Sequence, residues 1–245
     1  MQKVNNDIYN DYGDRWYTAN DDPIALLRAE SKVKTPWIIA KIKEFNYLNT
    51  DTKVLDIGCG GGFLSNALAK QSLQVTGIDL SAESLKVAKA HDETNTVNYQ
   101  VANACELPFE DQSFDIITAM DFLEHVDKPA EIILELSRVL KPKGLFIFHT
   151  FNRNLLAYFV IIKMVEWLIK KTPKNLHVLH LFIKPSELKQ YCLDAKMKVV
   201  EMVGIKPVFS SIPLAKLFSG IVPETLKFEL TKSLLLSYIG VAVKA

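Results

Sequence analysis

The chain has 245 residues, 49% of them hydrophobic and 23% charged, so it can bury the core of one ordinary α/β domain. Its formal net charge of +1 excludes the strong basic field on which nucleic-acid binding depends, and no nucleic-acid partner is expected. Three cysteines without metal-type spacing, no apolar signal core, and no apolar run of ~18 residues predict a cytoplasmic protein without a disulfide framework or membrane-spanning helix.

The chain falls into a helical beginning, an alternating centre and an irregular later part. Residues 1–50 carry no strand signal and are partly amphipathic, which predicts a helical N-terminal cap. From residue 53 onward apolar strands alternate with helical segments, which predicts a mostly parallel sheet with helices on both faces. The alternation stops after Asn152, and we expect 153–183 to be a helical insertion after the fifth strand.

These patterns define a single domain, 1–245, with a Rossmann-like α/β fold. The expected strands are 53–57, 74–79, 98–102, 114–120, 144–150, 198–203 and 233–243, and the expected helices are 62–70, 81–91, 129–140 and 185–195. The sheet is therefore predicted to have seven strands. Ligands of such sheets bind beyond the carboxyl ends of the strands.

A glycine-rich turn follows the first strand. Gly58, Gly60 and Gly62 give the spacing G-x-G-x-G, and glycine lets the backbone turn sharply and approach a ligand. Asp79 ends the second strand, where its carboxylate can accept hydrogen bonds from both hydroxyls of a ribose. The pattern predicts a ligand that contains a nucleoside.

The spacing of the glycines favours one nucleoside over another. A dinucleotide-binding turn requires a small residue where this chain has Phe63, so a nicotinamide enzyme is disfavoured. With Asp56 two residues before the first glycine, the turn resembles motif I of the class I methyltransferases. The resemblance implies S-adenosylmethionine as cofactor, with Asp56 near its methionine part. It also implies cofactor contacts for Leu80 and Met120.

The end of the third strand resembles the adenine-binding turn of the same enzymes, D-A-x-x-L-P-F. Residues 101–109 read VANACELPF, so Asn103 stands where the family has aspartate. Its amide can both donate and accept a hydrogen bond, so it is able to contact the adenine edge. The resemblance therefore implies that Asn103 and Ala104 contact the cofactor.

Three residues whose side chains can bind a metal ion or a proton follow the fourth strand. Asp121, Glu124 and His125 stand at i, i+3 and i+4, positions that share one face of a helical turn. Together they can hold a divalent cation such as Mg²⁺. Two other interpretations stay open: Glu124 or His125 supplies a general base, or both merely orient the loop. His149, at the end of the fifth strand, is a second candidate catalytic base, and His177 and His180 are weaker ones.

A narrower resemblance joins segments along most of the chain. Residues 54–62, 75–79, 123–126, 139–144, 152–154 and 182–188 resemble the O-methyltransferases of ubiquinone biosynthesis, which methylate polyprenyl catechols. The segment 182–188, FIKPSEL, lies outside the cofactor motifs and is the most specific of these. The resemblance implies that Asp121, Glu124 and His125 bind Mg²⁺ or a related cation, and that Lys34 replaces a cofactor-contacting arginine. It also implies an antiparallel pair of last strands at the sheet edge.

The segment 155–171 reads LLAYFVIIKMVEWLIKK, in which Lys163, Glu166 and Lys170 share one side at helical spacing. The remaining surface is broadly apolar. Such a helix can lie in a bilayer interface, cover a pocket for a lipid tail, or pack against the core or another subunit. Association with the inner face of the membrane is therefore one expectation for a cytoplasmic protein.

The combined pattern predicts an S-adenosylmethionine-dependent O-methyltransferase that acts on a phenolic hydroxyl of a lipophilic, polyprenyl catechol. Its candidate catalytic residues are His125, Glu124 and His149. Two alternatives remain: a methyltransferase for another small-molecule acceptor, and a non-catalytic cofactor-binding protein.

Overall fold

A single sheet of eight strands forms the centre of this computed structural model, which describes residues 4–213 and 219–245. The strands are β1 (Lys53–Ile57), β2 (Gln74–Asp79), β3 (Asn98–Val101), β4 (Phe114–Met120), β5 (Leu140–Phe151), β6 (Met197–Val208), β7 (Lys227–Thr231) and β8 (Ser237–Lys244). Their order is β3-β2-β1-β4-β5-β8-β6-β7. The first five are mutually parallel, and β8 pairs antiparallel with both β5 and β6. The predicted Rossmann-like, mostly parallel architecture is confirmed.

The sheet differs from the prediction at one edge. The expected antiparallel pair of late strands is present as β6 and β8, but β7 pairs antiparallel with β6 and forms the edge in its place. The strand β7 has five residues, of which only Phe228 and Leu230 are large and apolar. So short an alternation, next to a polar turn, gives a weak strand signal.

The helices lie on both faces of the sheet. They are α1 (Arg15–Thr18), α2 (Ile24–Glu44), α3 (Phe63–Ala69), α4 (Ala82–Ala90), α5 (Pro129–Val139), α6 (Leu155–Ala157), α7 (Met164–Leu168) and α8 (Pro185–Asp194). Ser81 caps the N-terminus of α4, since its side chain accepts a hydrogen bond from the backbone N–H of Ser84. Pro129 occupies the first turn of α5, where a missing N–H costs nothing.

Two hydrophobic clusters hold α2, α3, α5 and α8 on the sheet. Along β1, Leu55 faces the cluster that includes α5 and α8, and Val54 faces the cluster that includes α2 and α3. Successive strand residues point to opposite faces, so one five-residue strand contributes to both layers. Each fully buried aliphatic side chain contributes about 1.5–3 kcal/mol. The resulting sheet is a rigid base for the turns at its carboxyl edge.

The insertion after β5 is helical over 155–168, shorter than the expected 155–171. A π-helical turn, Tyr158–Lys163, joins α6 to α7. The helix ends because Ile169 adopts an extended conformation and pairs with Gly220. Leu155 and Trp167 are 75% and 69% exposed, whereas Ile162 and Ile169 are buried. Among the described residues, no helix combines the length and apolar character needed to cross a bilayer.

Candidate active site

A cavity of about 300 Å³ opens beyond the carboxyl ends of the parallel strands. Most of the predicted site residues line it: Lys34, Asp56, Gly58, Gly60, Asp79, Leu80, Asn103, Ala104, Met120, Asp121 and His125. Three others, namely Gly62, Glu124 and His149, do not belong to its lining. We name this space the cofactor cavity.

The glycine turn owes its shape to close contacts with aromatic rings. Gly58 and Gly60 have φ angles of 64° and 51°, and a Cβ on them would meet Phe122 at 2.5 Å and Trp16 at 2.6 Å. Both positions therefore require glycine, because the positive φ disfavours other residues and because there is no room for a Cβ. Gly62, predicted as a cofactor contact, begins α3 and faces Tyr99 and Ala88 outside the cavity. Its lack of a side chain lets α3 start close to Ala88 of α4 and Tyr99 of β3.

Asp79 closes the glycine turn onto β2. Its Oδ2 accepts a hydrogen bond from the Gly60 N–H and its Oδ1 one from the Ser81 N–H, each at 2.9 Å. Burial raises the pKa of this carboxyl. Each carboxylate oxygen has a second lone pair, so both retain capacity for a hydroxyl donor. The group is fixed in position by the backbone before any ligand arrives.

Asp56 lies deeper, where it connects β1 to α3 and β4. The Ser65 Oγ donates to its Oδ2 at 2.6 Å, and the Thr118 Oγ1 donates to its Oδ1 at 2.7 Å. Burial raises the pKa of Asp56 to about 6, although both hydroxyls oppose the rise. The Asp56 carboxylate is thus held in a fixed position below the glycine turn.

The N-terminal segment, predicted as a helical cap, covers the cofactor cavity through aromatic contacts that were not predicted. Trp16 lies against the glycine turn, and its ring stacks on Tyr9 with centroids 5.9 Å apart. The Tyr17 Oη donates to the Gly61 carbonyl at 2.9 Å. The only signal in the sequence is the density of aromatic residues over 9–17. Together these rings reduce the access of water to one side of the cavity.

A second, apolar cavity of about 150 Å³ adjoins the first. Its walls come from α2, the insertion helix and the segment 221–228, and include Ile24, Phe151, Ile161, Val165, Leu168, Val222 and Leu226. Tyr9, Leu27 and Asp121 line both cavities. The cofactor cavity and the apolar cavity therefore meet at these three residues.

A buried charge network lies at this meeting point. The Lys34 ammonium donates to Glu30 Oε2 at 2.9 Å and to Asp121 Oδ2. On the other side of Asp121, Oδ1 lies 2.7 Å from His149 Nδ1, although the N–H does not point along that contact. Burial alone would raise the pKa of Asp121, but the charges of Lys34 and His149 hold it well below its usual range. Lys34 lines the cofactor cavity with its ammonium committed to two carboxylates.

The expected arrangement of Asp121, Glu124 and His125 on one helical turn is wrong. Asp121 has a φ of 52°, in the left-handed region, so the short 3₁₀ helix Leu123–His125 begins after it. Asp121 consequently joins Lys34, whereas Glu124 and His125 approach His177 of the insertion. Each member of this second group has one ligand-type atom within 4.8 Å of the others.

Glu124 is fully buried below the turn. The Thr150 Oγ1 donates to its Oε2 at 2.8 Å, and within the described part of the chain Oε1 has no hydrogen-bond partner. Burial and the nearby Asp121 charge raise the pKa of Glu124 well above its usual range. An unpaired buried carboxylate oxygen is costly unless a further group binds it.

The local contacts of His125 define its tautomer. The Asn6 Nδ2 donates to the His125 carbonyl at 3.1 Å, which turns Asn6 Oδ1 toward His125 Nδ1, also at 3.1 Å. An amide oxygen accepts only, so Nδ1 carries the proton and Nε2 keeps its lone pair. Burial lowers the pKa of His125 to about 4, which keeps the ring neutral at physiological pH.

His149, the second candidate base, is placed differently from the prediction. It is fully buried, lines neither cavity and contacts Asp121 and Phe151. A residue two positions before the end of β5 points its side chain into the layer beneath the turn. His149 can therefore act on the site only through Asp121.

The chain is similar to known methyltransferases. A model of the methyltransferase domain matches residues 55–148. The ubiquinone biosynthesis O-methyltransferase of Haemophilus ducreyi is 40% identical over 65% of this chain and 73% of its own length. The protein of the same name from Aromatoleum aromaticum is 39% identical over 68% and 71% of the two chains.

Solved structures share the fold. A SAM-dependent methyltransferase from Methanosarcina mazei aligns with a TM-score of 0.56 at 25% identity, over 81% of this chain and 95% of its own. The magnesium protoporphyrin IX methyltransferase of Synechocystis aligns with a TM-score of 0.60 at 17% identity, over 86% and 82%. The solved structures show the shared fold, and the sequence relatives show the family. This chain belongs to the family of the ubiquinone biosynthesis O-methyltransferases, which use S-adenosylmethionine.

Proposed function

We propose that this enzyme methylates a phenolic hydroxyl of a polyprenyl catechol in ubiquinone biosynthesis. The observation that carries the proposal is the apolar cavity, which adjoins the cofactor cavity at Tyr9, Leu27 and Asp121. Almost all of its lining is aliphatic or aromatic, as a prenyl chain requires. The name of the relatives supports the same substrate class.

The cofactor-binding roles of the lining residues are part of the proposal. Asp79 accepts hydrogen bonds from the ribose hydroxyls, and Asn103 and Ala104 contact the adenine. The turn from Gly58 to Gly60 and the Asp56 carboxylate enclose the methionine part. Leu80 and Met120 supply apolar contacts, and Lys34 adds a positive charge on the α2 side.

The chemistry requires alignment and deprotonation of the acceptor. When bound, S-adenosylmethionine supplies a methyl group that is already electrophilic. A phenol with a pKa of about 10 is mostly protonated at neutral pH, so a base or a cation must favour its oxyanion. His125 lines the cofactor cavity, and the hydrogen bond from its Nδ1 to Asn6 leaves Nε2 to accept the phenolic proton. Burial, which lowers the pKa of His125 to about 4, weakens it as a base. Alignment in a dry cavity can contribute several kcal/mol.

A divalent cation is the second way to favour the oxyanion. Asp121, Glu124 and His125 are its predicted ligands. Glu124 Oε1, which has no hydrogen-bond partner among the described residues, and His125 Nε2 fit such a group, whereas Asp121 is paired with Lys34. A cation would lower the pKa of a catechol hydroxyl and orient both oxygens. Glu124 on its own is a weaker base candidate, because it does not line the cofactor cavity.

Transfer of a labelled methyl group tests the function. We expect transfer from S-adenosylmethionine to a polyprenyl catechol, with a lower KM than for a catechol without the prenyl chain. Equal KM values for the two would contradict the assignment of the apolar cavity and favour another small acceptor. Cofactor binding without transfer to any acceptor would favour a non-catalytic binding protein. A melting-temperature shift with NAD rather than S-adenosylmethionine would favour a nicotinamide enzyme.

We further propose that 1–245 fold as one methyltransferase domain, in which 1–50 cap the cofactor cavity and 153–183 flank the apolar one. The exposed Leu155, Phe159 and Trp167 suit contact with a membrane surface on the cytoplasmic side. Co-sedimentation with anionic vesicles tests this contact. We expect a Trp167→Ala variant to bind them more weakly, and unchanged binding by this variant would contradict the proposal.

A further inference from the structure

Tyr9 lies on the boundary between the two cavities. With Leu27 and Asp121 it lines both the cofactor cavity and the apolar cavity. Leu27 has no polar side-chain atom, and the carboxylate of Asp121 offers acceptor atoms. Of these three described side chains, Tyr9 alone can donate a hydrogen bond to an oxygen of a ligand.

Two serines of the α4 N-terminus fix the backbone of Tyr9. The Ser84 Oγ donates to the Tyr9 carbonyl at 2.9 Å, and the Ser81 Oγ donates to it at 3.3 Å. The Ser84 Oγ also accepts a hydrogen bond from Trp16 Nε1 at 3.2 Å. Tyr9 is thus anchored to the helix that begins beside the cofactor cavity, and its side chain has a defined position there.

The ring of Tyr9 is held between two other rings. It stacks on Trp16 with an interplanar angle of 21° and meets His125 edge-on, and both centroid distances are 5.9 Å. Stacked and edge-to-face arrangements are the ones that aromatic rings prefer. The ring therefore has little freedom to turn away from the boundary of the cavities.

The hydroxyl of Tyr9 is a protonated donor that no protein group uses. Burial, the neighbouring Tyr12 and nearby carboxylates, Glu124 first among them, raise the pKa of Tyr9 well above its usual range. The hydroxyl consequently keeps its proton at physiological pH. Within 4–213 and 219–245 it forms no hydrogen bond, so its proton remains available to a ligand.

A catechol poses a choice that such a donor can make. It carries two adjacent hydroxyls, and a prenyl chain in the apolar cavity does not distinguish them, because the ring can turn about the bond to the chain. A polar contact with the second oxygen removes this freedom. An acceptor with its chain in the apolar cavity and its reacting oxygen in the cofactor cavity crosses the wall that Tyr9 lines.

We propose that Tyr9 determines which of the two catechol hydroxyls is methylated, by donating a hydrogen bond to the oxygen that stays unmethylated. The reacting oxygen loses its proton and gains the methyl group as the sulfonium becomes a thioether, whereas the oxygen at Tyr9 keeps its proton. The inference rests on the proposed function and names a specificity-determining residue for it. It holds whether a base or a cation favours the reacting oxyanion.

The two monomethyl isomers formed from one polyprenyl catechol, separated by chromatography, test the proposal. We expect the unmodified enzyme to form one isomer in excess. Tyr9→Phe should shift the isomer ratio toward equality by roughly 3- to 10-fold, the factor that one net hydrogen bond supplies. Tyr12→Phe is the matched control, because its ring lies 6.0 Å from that of Tyr9 and its hydroxyl is enclosed by protein. Its isomer ratio should be unchanged.

Binding without turnover separates the role of the hydroxyl from that of the ring. In the presence of S-adenosylhomocysteine, the unmodified enzyme should bind the catechol more tightly than the monophenol that retains only the reacting hydroxyl. Tyr9→Phe should weaken catechol binding by roughly 3- to 10-fold and leave monophenol binding unchanged. A melting-temperature shift by S-adenosylmethionine first confirms that each variant is folded.

The outcomes distinguish this inference from the proposed function. An unchanged isomer ratio in Tyr9→Phe, or an equal shift in Tyr12→Phe, would overturn the inference alone. Equal affinity of the unmodified enzyme for the catechol and the monophenol would overturn it as well, even if Tyr9→Phe does not fold. Absence of transfer to every catechol would overturn the proposed function and this inference with it.

Discussion

The ammonium of Lys34 binds the carboxylate of Asp121 across 87 positions of sequence, at the point where the cofactor cavity and the apolar cavity meet. Helix α2 supplies the first residue and the loop after β4 the second. The pair therefore fixes the N-terminal helix to the catalytic edge of the sheet. It also gives Asp121 a partner that does not depend on any bound ligand.

Removal of this charge should destabilise the fold. Lys34→Met leaves Glu30 and Asp121 buried without their cation, and we expect the free energy of unfolding to fall by about 3–5 kcal/mol. Urea denaturation measures the change. Lys128→Met is the control, since the Lys128–Glu131 pair is exposed and such pairs contribute about 0–1 kcal/mol. Equal losses of unfolding free energy in both variants would show that the buried pair stabilises the fold no more than an exposed pair does.

The glycine turn offers a matched pair of substitutions. Gly60→Ala places a Cβ 2.6 Å from Trp16, and we expect S-adenosylmethionine affinity to fall by at least tenfold, since a closed turn must shift to make room. Gly13→Ala has a similar φ of 47° but no atom within 4 Å. It should cost only the left-handed strain, about 1–2 kcal/mol, with affinity unchanged. Isothermal titration calorimetry compares the two, and an equal loss of affinity would contradict the role of the Trp16 contact.

Asp56 should give the stability a particular pH dependence. Its pKa is about 6 in the folded protein and about 3.8 in the unfolded chain, so the folded state binds more protons between these values. This group therefore lowers the free energy of unfolding as pH rises from about 4 to about 6, by up to ~3 kcal/mol. Asp56→Asn should lose this slope. We expect the exposed Asp51→Asn to keep it, and a slope that persists in the Asp56 variant would assign it to other groups.

The two histidines at the site should differ in kinetics. His125→Ala removes the proposed base, and we expect kcat to fall by roughly 10²–10⁴-fold. His149→Gln acts only through Asp121 and should reduce kcat much less. His91→Ala, whose ring stacks on Tyr17 away from the lining of both cavities, is the control for histidine loss. Single-turnover methyl transfer with saturating cofactor measures all three, and a larger effect of His149→Gln would reverse the assignment of the base.

The parallel part of the fold was predictable because its signals are local. Each of β1, β2 and β4 is rich in β-branched residues, and Gly58, Asp79 or Asp121 stands at its end or directly after it. The residues at those ends must converge, since parallel strands finish on one edge. For this reason Asp79 and Asn103 could be placed at the cofactor cavity from sequence alone.

The grouping of the acidic and histidine residues was not predictable in the same way. The spacing of Asp121, Glu124 and His125 suggests a helical face, but the left-handed backbone at Asp121 turns its side chain toward α2. The meeting of His177 with Glu124 joins segments that share no hydrogen-bonded register. Both depend on tertiary packing, which periodicity does not report. The packing of Trp16 over the glycine turn likewise depends on tertiary contacts and could not be predicted from periodicity.

The shared wall of Tyr9, Leu27 and Asp121 has an energetic consequence for the order of binding. A ligand in one cavity that shifts this wall alters the affinity of the other cavity, and thermodynamic linkage makes the factor identical in both directions. If the prenyl chain of an acceptor fills the apolar cavity as proposed, it can change the affinity for the cofactor without touching the cofactor. The affinity measured for either ligand would then depend on whether the other is bound.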